Sequence, residues 1–369
     1  MHNSRTKYNT SYLARPSLLD THYKAAASRY DAMPYRTVGR SGLKLSALSL
    51  GLWQNFGDTE PYSESRAMIL EAFDRGITHF DLGNNYGKPP GSAERTLGRV
   101  LKEDLARYRD ELVISTKAGY DMWQGPYGEN GSKKHVIASM DQSLKRLGLP
   151  YVDIFYSHKF DAHTPLEETA EALADIVKRG KALYLGVSSY GHEETKRMHD
   201  ILHGMGIRSL LLHQPSYSLF NRWIEKDLFT TLDALGMGAI VFTPLAQGLL
   251  SDKYTAKVIP QDSRAAQKDT LLPSRLVTAS VREKLVALAR IAKKRGQTLS
   301  QMALAWTLRD PRVASTIVGA RTRDQLIENI KATEHLSFSE KELQEIDRYA
   351  TEIKGVNLWP PNCQTSQVS

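Results

Sequence analysis

Eight short runs of β-branched and apolar residues recur along this chain, and between most of them lies a longer segment with helical period and charged faces. The runs are Ser46–Leu50, Thr78–Asp81, Leu112–Thr116, Val152–Ser157, Ala182–Val187, Ser209–His213, Ala239–Phe242 and Val313–Val318. The clearest helical segments are Ser92–Leu105, Lys133–Leu147, Pro165–Lys178 and Glu193–His203. Several of the runs are continuously apolar, the pattern of strands covered on both faces. Strands that alternate with helices build parallel sheet, and eight of them suffice to close a barrel. An open doubly wound sheet is the competing arrangement, but it carries a glycine-rich fingerprint after its first strand. The residues there, Leu50-Gly51-Leu52-Trp53-Gln54-Asn55, have no second glycine in place. The predicted fold class is therefore α/β, a single-domain (β/α)8 TIM barrel over residues 34–350. A polar arm (1–33), expected to be flexible, and a C-terminal tail (351–369) flank it.

Composition narrows the function classes. A length of 369 residues fits one large domain or two ordinary ones. The single cysteine, Cys363, rules out a disulfide framework or a Cys-built metal site within one chain, and no metal site is expected. No apolar run approaches the roughly 20 residues needed to span a bilayer, and the arm lacks the apolar core of a secretory signal. A cytoplasmic protein without a membrane partner is expected. The net charge of +8 reads first as a solvated basic surface and second as attraction for anionic small molecules such as a phosphorylated cofactor. The basic residues are dispersed, with no aromatic-interleaved run, so no nucleic-acid partner is expected. The longest irregular stretch, about Gly248–Leu272, follows the seventh strand and reads as a lid over the catalytic face or as a loose insertion.

In a barrel, chemistry sits at the C-terminal ends of the strands. Asp81 ends the second strand, and Tyr86 follows in Leu82-Gly83-Asn84-Asn85-Tyr86-Gly87. Lys117 ends the third and His158 the fourth. Singly, a histidine after a strand or a Lys–Asp pair is more often structural. Together the four suit carbonyl reduction. A phenol is protonated at neutral pH and can act as an acid. A nearby ammonium is expected to lower the phenol's pKa, with Asp81 holding Lys117 charged. His158 would orient the carbonyl oxygen and stabilise the charge that develops there.

The four positions resemble the Asp-Tyr-Lys-His tetrad of the aldo-keto reductase superfamily, and the resemblance runs from about Tyr35 to Tyr349. It implies NADPH bound without a Rossmann fingerprint, and Tyr86 as the general acid. It also implies cofactor contacts. Gly186-Val187-Ser188-Ser189 and Gln214 would meet the carboxamide, and Phe242 would stack on the nicotinamide unless it is a core residue. Thr243, Pro244, Leu245, Ala246 and Gly248 would lie on the pyrophosphate side, with Lys253 and Arg264 over it. Gly319, Arg321, Gln325, Glu328 and Asn329 would form the adenosine end, where Arg321 or Arg323 binds a 2′-phosphate.

Several stretches resemble one bacterial branch of the superfamily, which reduces L-glyceraldehyde 3-phosphate and other short aldehydes, methylglyoxal included. These are Tyr86-Gly87-Lys88-Pro89-Pro90-Gly91, Tyr120-Asp121-Met122-Trp123, His213-Gln214-Pro215-Ser216-Tyr217 and Asn357-Leu358-Trp359. That branch is related to potassium-channel β subunits and implies a homo-oligomer. Trp53 is expected to touch both cofactor and substrate. Trp123, Tyr127, Asn221 and Arg222 are expected to line the substrate pocket, with Arg222 on a substrate phosphate. Two other functions compete. An NADPH-sensing binding module would need a membrane partner. A hydrolase or isomerase would want paired carboxylates, and Asp81 is the one strand-end carboxylate in the pattern.

Overall fold

A computed structural model describes residues 23–261, 263–268, 270–353, 355–356 and 359–361. A hairpin comes first: β1 (Tyr35–Thr37) pairs antiparallel with β2 (Lys44–Ser46). The barrel strands follow as β3 (Leu48–Gly51), β4 (His79–Asp81), β5 (Val113–Ala118), β6 (Val152–Ser157), β7 (Ala182–Ser188), β8 (Leu210–Gln214), β9 (Gly238–Val241) and β10 (Val313–Val318). They pair in parallel in sequence order, and β10 closes on β3. The protein is a (β/α)8 TIM barrel.

One expected strand divides in two. Ser46–Leu50 is interrupted at Ala47, whose N–H bonds Pro34 and whose carbonyl accepts from Thr316. Ser46 belongs to the hairpin and Leu48 to the barrel, because the hydrogen-bond partner changes there while the apolar pattern does not. The hairpin closes the N-terminal end of the barrel. Its Val38, Leu43 and Leu45 pack with the interior residues Ile154, Tyr156, Leu212 and Ile240.

Helices cover the outside. They are α1 (Tyr62–Asp74), α2 (Ser92–Val100), α3 (Lys133–Leu147), α4 (Leu166–Lys178), α5 (His192–Gly204), α6 (Leu228–Leu235), α7 (Ala279–Lys294), α8 (Leu299–Thr307), α9 (Arg323–Ile330) and α10 (Glu340–Asp347). Their ends follow local chemistry. Ser132 Oγ accepts from His135 N at the start of α3, and Gly148 ends that helix with φ of 67°. Thr298 and Gln301 form a capping box on α8. The segment expected as one helix over Ser92–Leu105 is α2 plus a wider π turn over Leu101–Leu105.

The arm expected to be flexible up to Met33 is packed over 23–33. Ala25 and Met33 are buried, Tyr23 Oη and Ala26 N donate to Asp74 at 2.9 and 2.7 Å, and Arg29 pairs with Glu111 at 2.6 Å. Aromatic and arginine side chains there cover α1 and the end of the following helix, which the polar average of the arm conceals. Residues 1–22 and Cys363 lie outside the described residues.

The stretch after β9 also packs rather than standing loose. Leu249, Leu250, Tyr254, Ala265 and Leu272 are buried, and Ala265 N donates to Tyr254 Oη at 3.2 Å. Among the described residues no helix is long and apolar enough to cross a membrane. Nor, among them, do three His, Cys, Asp or Glu side chains gather to hold a metal.

Candidate active site

The tetrad positions meet at the C-terminal mouth of the barrel. Side chains alternate along a strand, so Ser115 and Lys117 of β5 point the same way, toward Asp81 at the end of β4. Lys117 Nζ donates to Asp81 Oδ2 at 2.6 Å, to the Leu82 carbonyl at 2.6 Å and to Tyr86 Oη at 3.2 Å. Asp81 Oδ1 accepts from Ser115 Oγ at 2.8 Å and from Gln214 Nε2 at 2.9 Å. Lys117 and Asp81 are both buried.

The loop after β4 aims Tyr86. Asn84 N bonds the Lys117 carbonyl and Tyr86 N bonds the Gly83 carbonyl, each at 2.9 Å. Gly83 is required here. A Cβ at that position would stand 2.9 Å from Tyr86 Cε1 and 3.1 Å from His158 Cε1. His158 follows β6, and its N–H bonds the Ala118 carbonyl. Its ring lies edge-on to Tyr86 at 5.7 Å and to Tyr120 at 4.6 Å.

Burial sets the charge states. It holds His158 well below its ordinary 6.5, helped by the Lys117 and Lys159 charges, so the imidazole is neutral. Its Nδ1 is buried with no hydrogen-bond partner among the described residues. Burial also pulls the Lys117 ammonium down from 10.5, while Asp81 pulls it back up. The phenol departs from expectation. Burial, with the Asp81 charge, raises Tyr86 well above 10, so the expected lowering by Lys117 does not prevail in the protein alone. A protonated phenol, a neutral imidazole and a buried cation can together protonate a carbonyl oxygen as charge builds on it.

Around this centre the expected ligand positions divide. Trp53 lies 6.4 Å from the Tyr86 ring and edge-on to Trp359 at 5.6 Å. Trp359 also meets Phe242 edge-on at 5.7 Å, and its carbonyl accepts from Ser216 Oγ at 3.1 Å. Phe242 thus borders both the mouth and the apolar barrel interior. Asn357 and Leu358 lie outside the described residues. Ser188 Oγ donates to the Gln214 carbonyl at 2.9 Å, and Gln214 is joined to the tetrad through Asp81. In Gly186-Val187-Ser188-Ser189 the glycine answers to packing: a Cβ there would stand 2.2 Å from Tyr156 Cε1.

Every described non-glycine residue with positive φ lies in the loops at this mouth or in the tail that reaches it. They are Asn130, Ser189, Thr243, Ala246, Gln247 and Trp359. Such backbone costs of order 1–3 kcal/mol per residue and gathers at functional sites. Arg264 donates to Gln247 Oε1 at 2.6 Å. Burial lowers its pKa and the nearby Arg321 charge lowers it further, so two guanidinium groups face one region. Arg321 N bonds Gln325 Oε1 at 3.0 Å just before α9, whereas Arg323 is paired with Glu71 at 2.5 Å. Glu328 pairs with Lys331 at 2.6 Å and accepts from Gln301, and Asn329 is buried. Lys253 lies in a short turn over Asp252–Tyr254, and Gly319 is exposed after β10.

The residues expected to line the substrate pocket make contacts of their own within the protein. Arg222 is taken up elsewhere: its guanidinium meets Glu225 at 2.7 Å and Asp347 at 2.6 Å, and lies over Trp306. Asn221 Nδ2 is tied to Ser216 Oγ at 2.9 Å within a turn. Trp123 packs on His135 at 4.9 Å, and Tyr127 is 47% exposed beneath Lys134. Ser115, Tyr120, Lys159 and Trp359 were not singled out from the sequence as site residues. Ser115 had a signal, its i, i+2 relation to Lys117.

A family model described as the aldo/keto reductase family matches residues 47–351. Among curated proteins, an L-glyceraldehyde 3-phosphate reductase of Escherichia coli (strain K12) is 55% identical over 340 residues, covering 91% of this chain and 97% of that protein. The same name and identity, with the same coverage, recur in Escherichia coli O157:H7. A putative voltage-gated potassium channel subunit beta of Schizosaccharomyces pombe is 38% identical over 339 residues, 90% of this chain and 96% of that one.

Proposed function

Because this chain belongs to the aldo/keto reductase family and is an oxidoreductase, we propose that it reduces small aldehydes to alcohols with NADPH. L-glyceraldehyde 3-phosphate is the principal substrate in this reading, and methylglyoxal-type aldehydes are secondary ones. The observation that carries it is Lys117 Nζ held between Asp81 at 2.6 Å and the Tyr86 hydroxyl at 3.2 Å, beside a neutral His158. The E. coli relative's name supports the choice of aldehyde.

The aldehyde oxygen sits between Tyr86 Oη and His158 Nε2. His158 donates to it and polarises the carbonyl. NADPH, when bound, would supply the hydride for the carbonyl carbon. Tyr86 gives its proton to the oxygen, and the phenolate left behind is met by the Lys117 ammonium. Asp81 keeps that ammonium charged, and Ser115 and Gln214 keep Asp81 in place.

The chain's own donors fit the cofactor. Ser188, Ser189 and Gln214 would hold the carboxamide. The positive-φ loop Thr243–Gly248, with Lys253 and Arg264, would hold the pyrophosphate. Arg321, whose charge bears on Arg264 beside the expected pyrophosphate region, would meet the 2′-phosphate. Gln325, Glu328 and Asn329 would hold the adenosine end. The resemblance also supports a homo-oligomer acting in the cytoplasm.

The second reading is an NADPH-binding regulatory module, favoured by the relatives named as channel subunits. One assay separates the two. Loss of NADPH absorbance is followed with L-glyceraldehyde 3-phosphate, methylglyoxal and NADH controls, for the protein and for Tyr86→Phe. Turnover that falls roughly 10²- to 10⁴-fold in the variant, with NADPH binding kept, is expected. No turnover of any aldehyde despite NADPH binding would favour the module.

A further inference from the structure

Lys159 stands directly after His158, and its side chain is only 9% exposed. Its Nζ lies 5.1 Å from the centre of the Tyr120 ring, and that ring meets His158 edge-on at 4.6 Å. One aromatic ring thus borders both the cation and the imidazole. The carboxylate paired with Lys159 is Glu129, 3.2 Å away and 51% exposed. A half-solvated carboxylate is a weak partner for a cation so deeply placed. Lys117 is fully engaged by Asp81, Leu82 and Tyr86, and Arg222 is held by Glu225 and Asp347. Among the described residues, the charges of Lys117 and Lys159 both bear on His158.

We infer that Lys159 is the phosphate subsite of the substrate pocket, binding the phosphate of a short phosphorylated aldehyde whose carbonyl lies at Tyr86 and His158. This rests on the aldehyde-reductase reading above and names the group that selects its substrate. Tyr120 borders both groups, so a carbonyl at His158 and a phosphate at Lys159 would flank the same ring. An arriving phosphate carries more charge than Glu129 and displaces it from Lys159. Glu129 then swings into the solvent it already faces.

The competing role for the pair is a tether that fastens the β5–α3 connection, which carries Glu129, to the end of β6. Three variants of the full-length protein separate the roles. Lys159→Met keeps the stem over Tyr120 and removes the charge. Lys159→Arg keeps the charge. Glu129→Gln removes the competitor. The first readout is the ratio of kcat/KM for L-glyceraldehyde 3-phosphate to that for L-glyceraldehyde. The second is calorimetric binding of glycerol 3-phosphate, which cannot be reduced and so reports the subsite even without turnover.

Lys159→Met should lower the ratio about 10- to 100-fold, chiefly through KM for the phosphorylated substrate, and weaken glycerol 3-phosphate comparably. Lys159→Arg should restore most of both. Glu129→Gln should tighten glycerol 3-phosphate or leave it as it is. Equal losses on both aldehydes, or matching losses in Lys159→Met and Glu129→Gln, would make the pair a tether and overturn the subsite. So would failure of the wild-type protein to bind glycerol 3-phosphate. Binding that depends on Lys159 in a protein that reduces no aldehyde would leave the subsite standing and remove the reductase reading instead.

Discussion

The Lys117 ammonium and the Asp81 carboxylate lie 2.6 Å apart, with side chains 0% and 3% exposed. Neither charge has water to fall back on, so each depends on the other. Ser115 and Gln214 donate to Asp81 Oδ1, and the Leu82 carbonyl and the Tyr86 hydroxyl accept from Lys117, which completes the hydrogen bonding of the pair.

Removing one partner should therefore cost far more than removing both. Lys117→Met leaves a buried carboxylate facing two neutral donors, a loss of roughly 3–5 kcal/mol. The double variant Lys117→Met/Asp81→Asn should recover most of that stability in urea denaturation and none of the turnover. A single variant as stable as the double one would mean that the pair is better solvated than its burial indicates.

The pH dependence of turnover follows from the two buried bases. His158 is held well below 6.5 by burial and by two nearby cations, so it stays neutral through the ordinary imidazole range. Lys117 is drawn below 10.5, so the ammonium that stabilises the phenolate is lost on the alkaline side before an exposed lysine would lose its proton. The kcat/KM profile should be flat through pH 6.5 and fall on the alkaline side below pH 10.5. His158→Gln should lower the whole curve without adding or removing a limb near neutrality. A wild-type limb centred near 6.5 that vanishes in His158→Gln would show instead that the imidazole titrates in the working range.

Two other histidines govern stability rather than turnover. His79 and His213 are fully buried, and burial lowers each from 6.5 to about 4. His79 lies between Ser49 and Ser115, while His213 Nε2 donates to the Tyr190 carbonyl at 3.0 Å. In the folded protein both remain neutral while the unfolded chain takes up protons below 6.5. Their contribution is thus complete above that pH and is lost as the pH falls toward 4, by up to about 1.4 kcal/mol per unit for each. Denaturant midpoints measured from pH 7 to pH 5 should fall, and the slope should be shallower in His213→Gln. An unchanged slope in that variant would place the acid sensitivity in the carboxylates.

What could be read in the sequence divides along physical lines. The barrel was legible because strands covered on both faces must be largely apolar, as Gly238–Val241 is throughout. Asp81, Lys117 and His158 were legible because nothing in a strand's packing calls for a charge at its end. The hairpin was missed because its strands are three residues each, too short to show a period. The engagement of Arg222 could not be read because its partner Asp347 lies 125 residues away, a distance no local pattern spans. Gly186 was read through its neighbours Ser188 and Ser189, whereas the ring that excludes a Cβ there belongs to Tyr156 on the adjacent strand. Pairing across elements is the information a pattern of residue types does not carry.

The same kind of pairing bears on two arginines that the sequence left equivalent. Arg323 opens α9, the position a phosphate at a helix N-terminus would favour. Its guanidinium is paired with Glu71 of α1, however, so binding a phosphate there would first break an existing ion pair. Arg321 precedes the N-cap Thr322, is exposed, and projects its charge onto Arg264 across the region expected to hold the pyrophosphate. Gln325 holds the Arg321 backbone N–H, which fixes where that side chain departs. Arg321→Ala should therefore raise KM for NADPH about tenfold or more while changing KM for NADH little, since NADH lacks the 2′-phosphate. Arg323→Ala should change the ratio less than twofold and show its effect as a small loss of stability from the lost Arg323–Glu71 pair, Glu71 keeping Arg75. The NADPH-to-NADH ratio of kcat/KM measures both. A larger effect at Arg323 would mean that the Glu71 pair opens on binding and that α9 itself receives the phosphate.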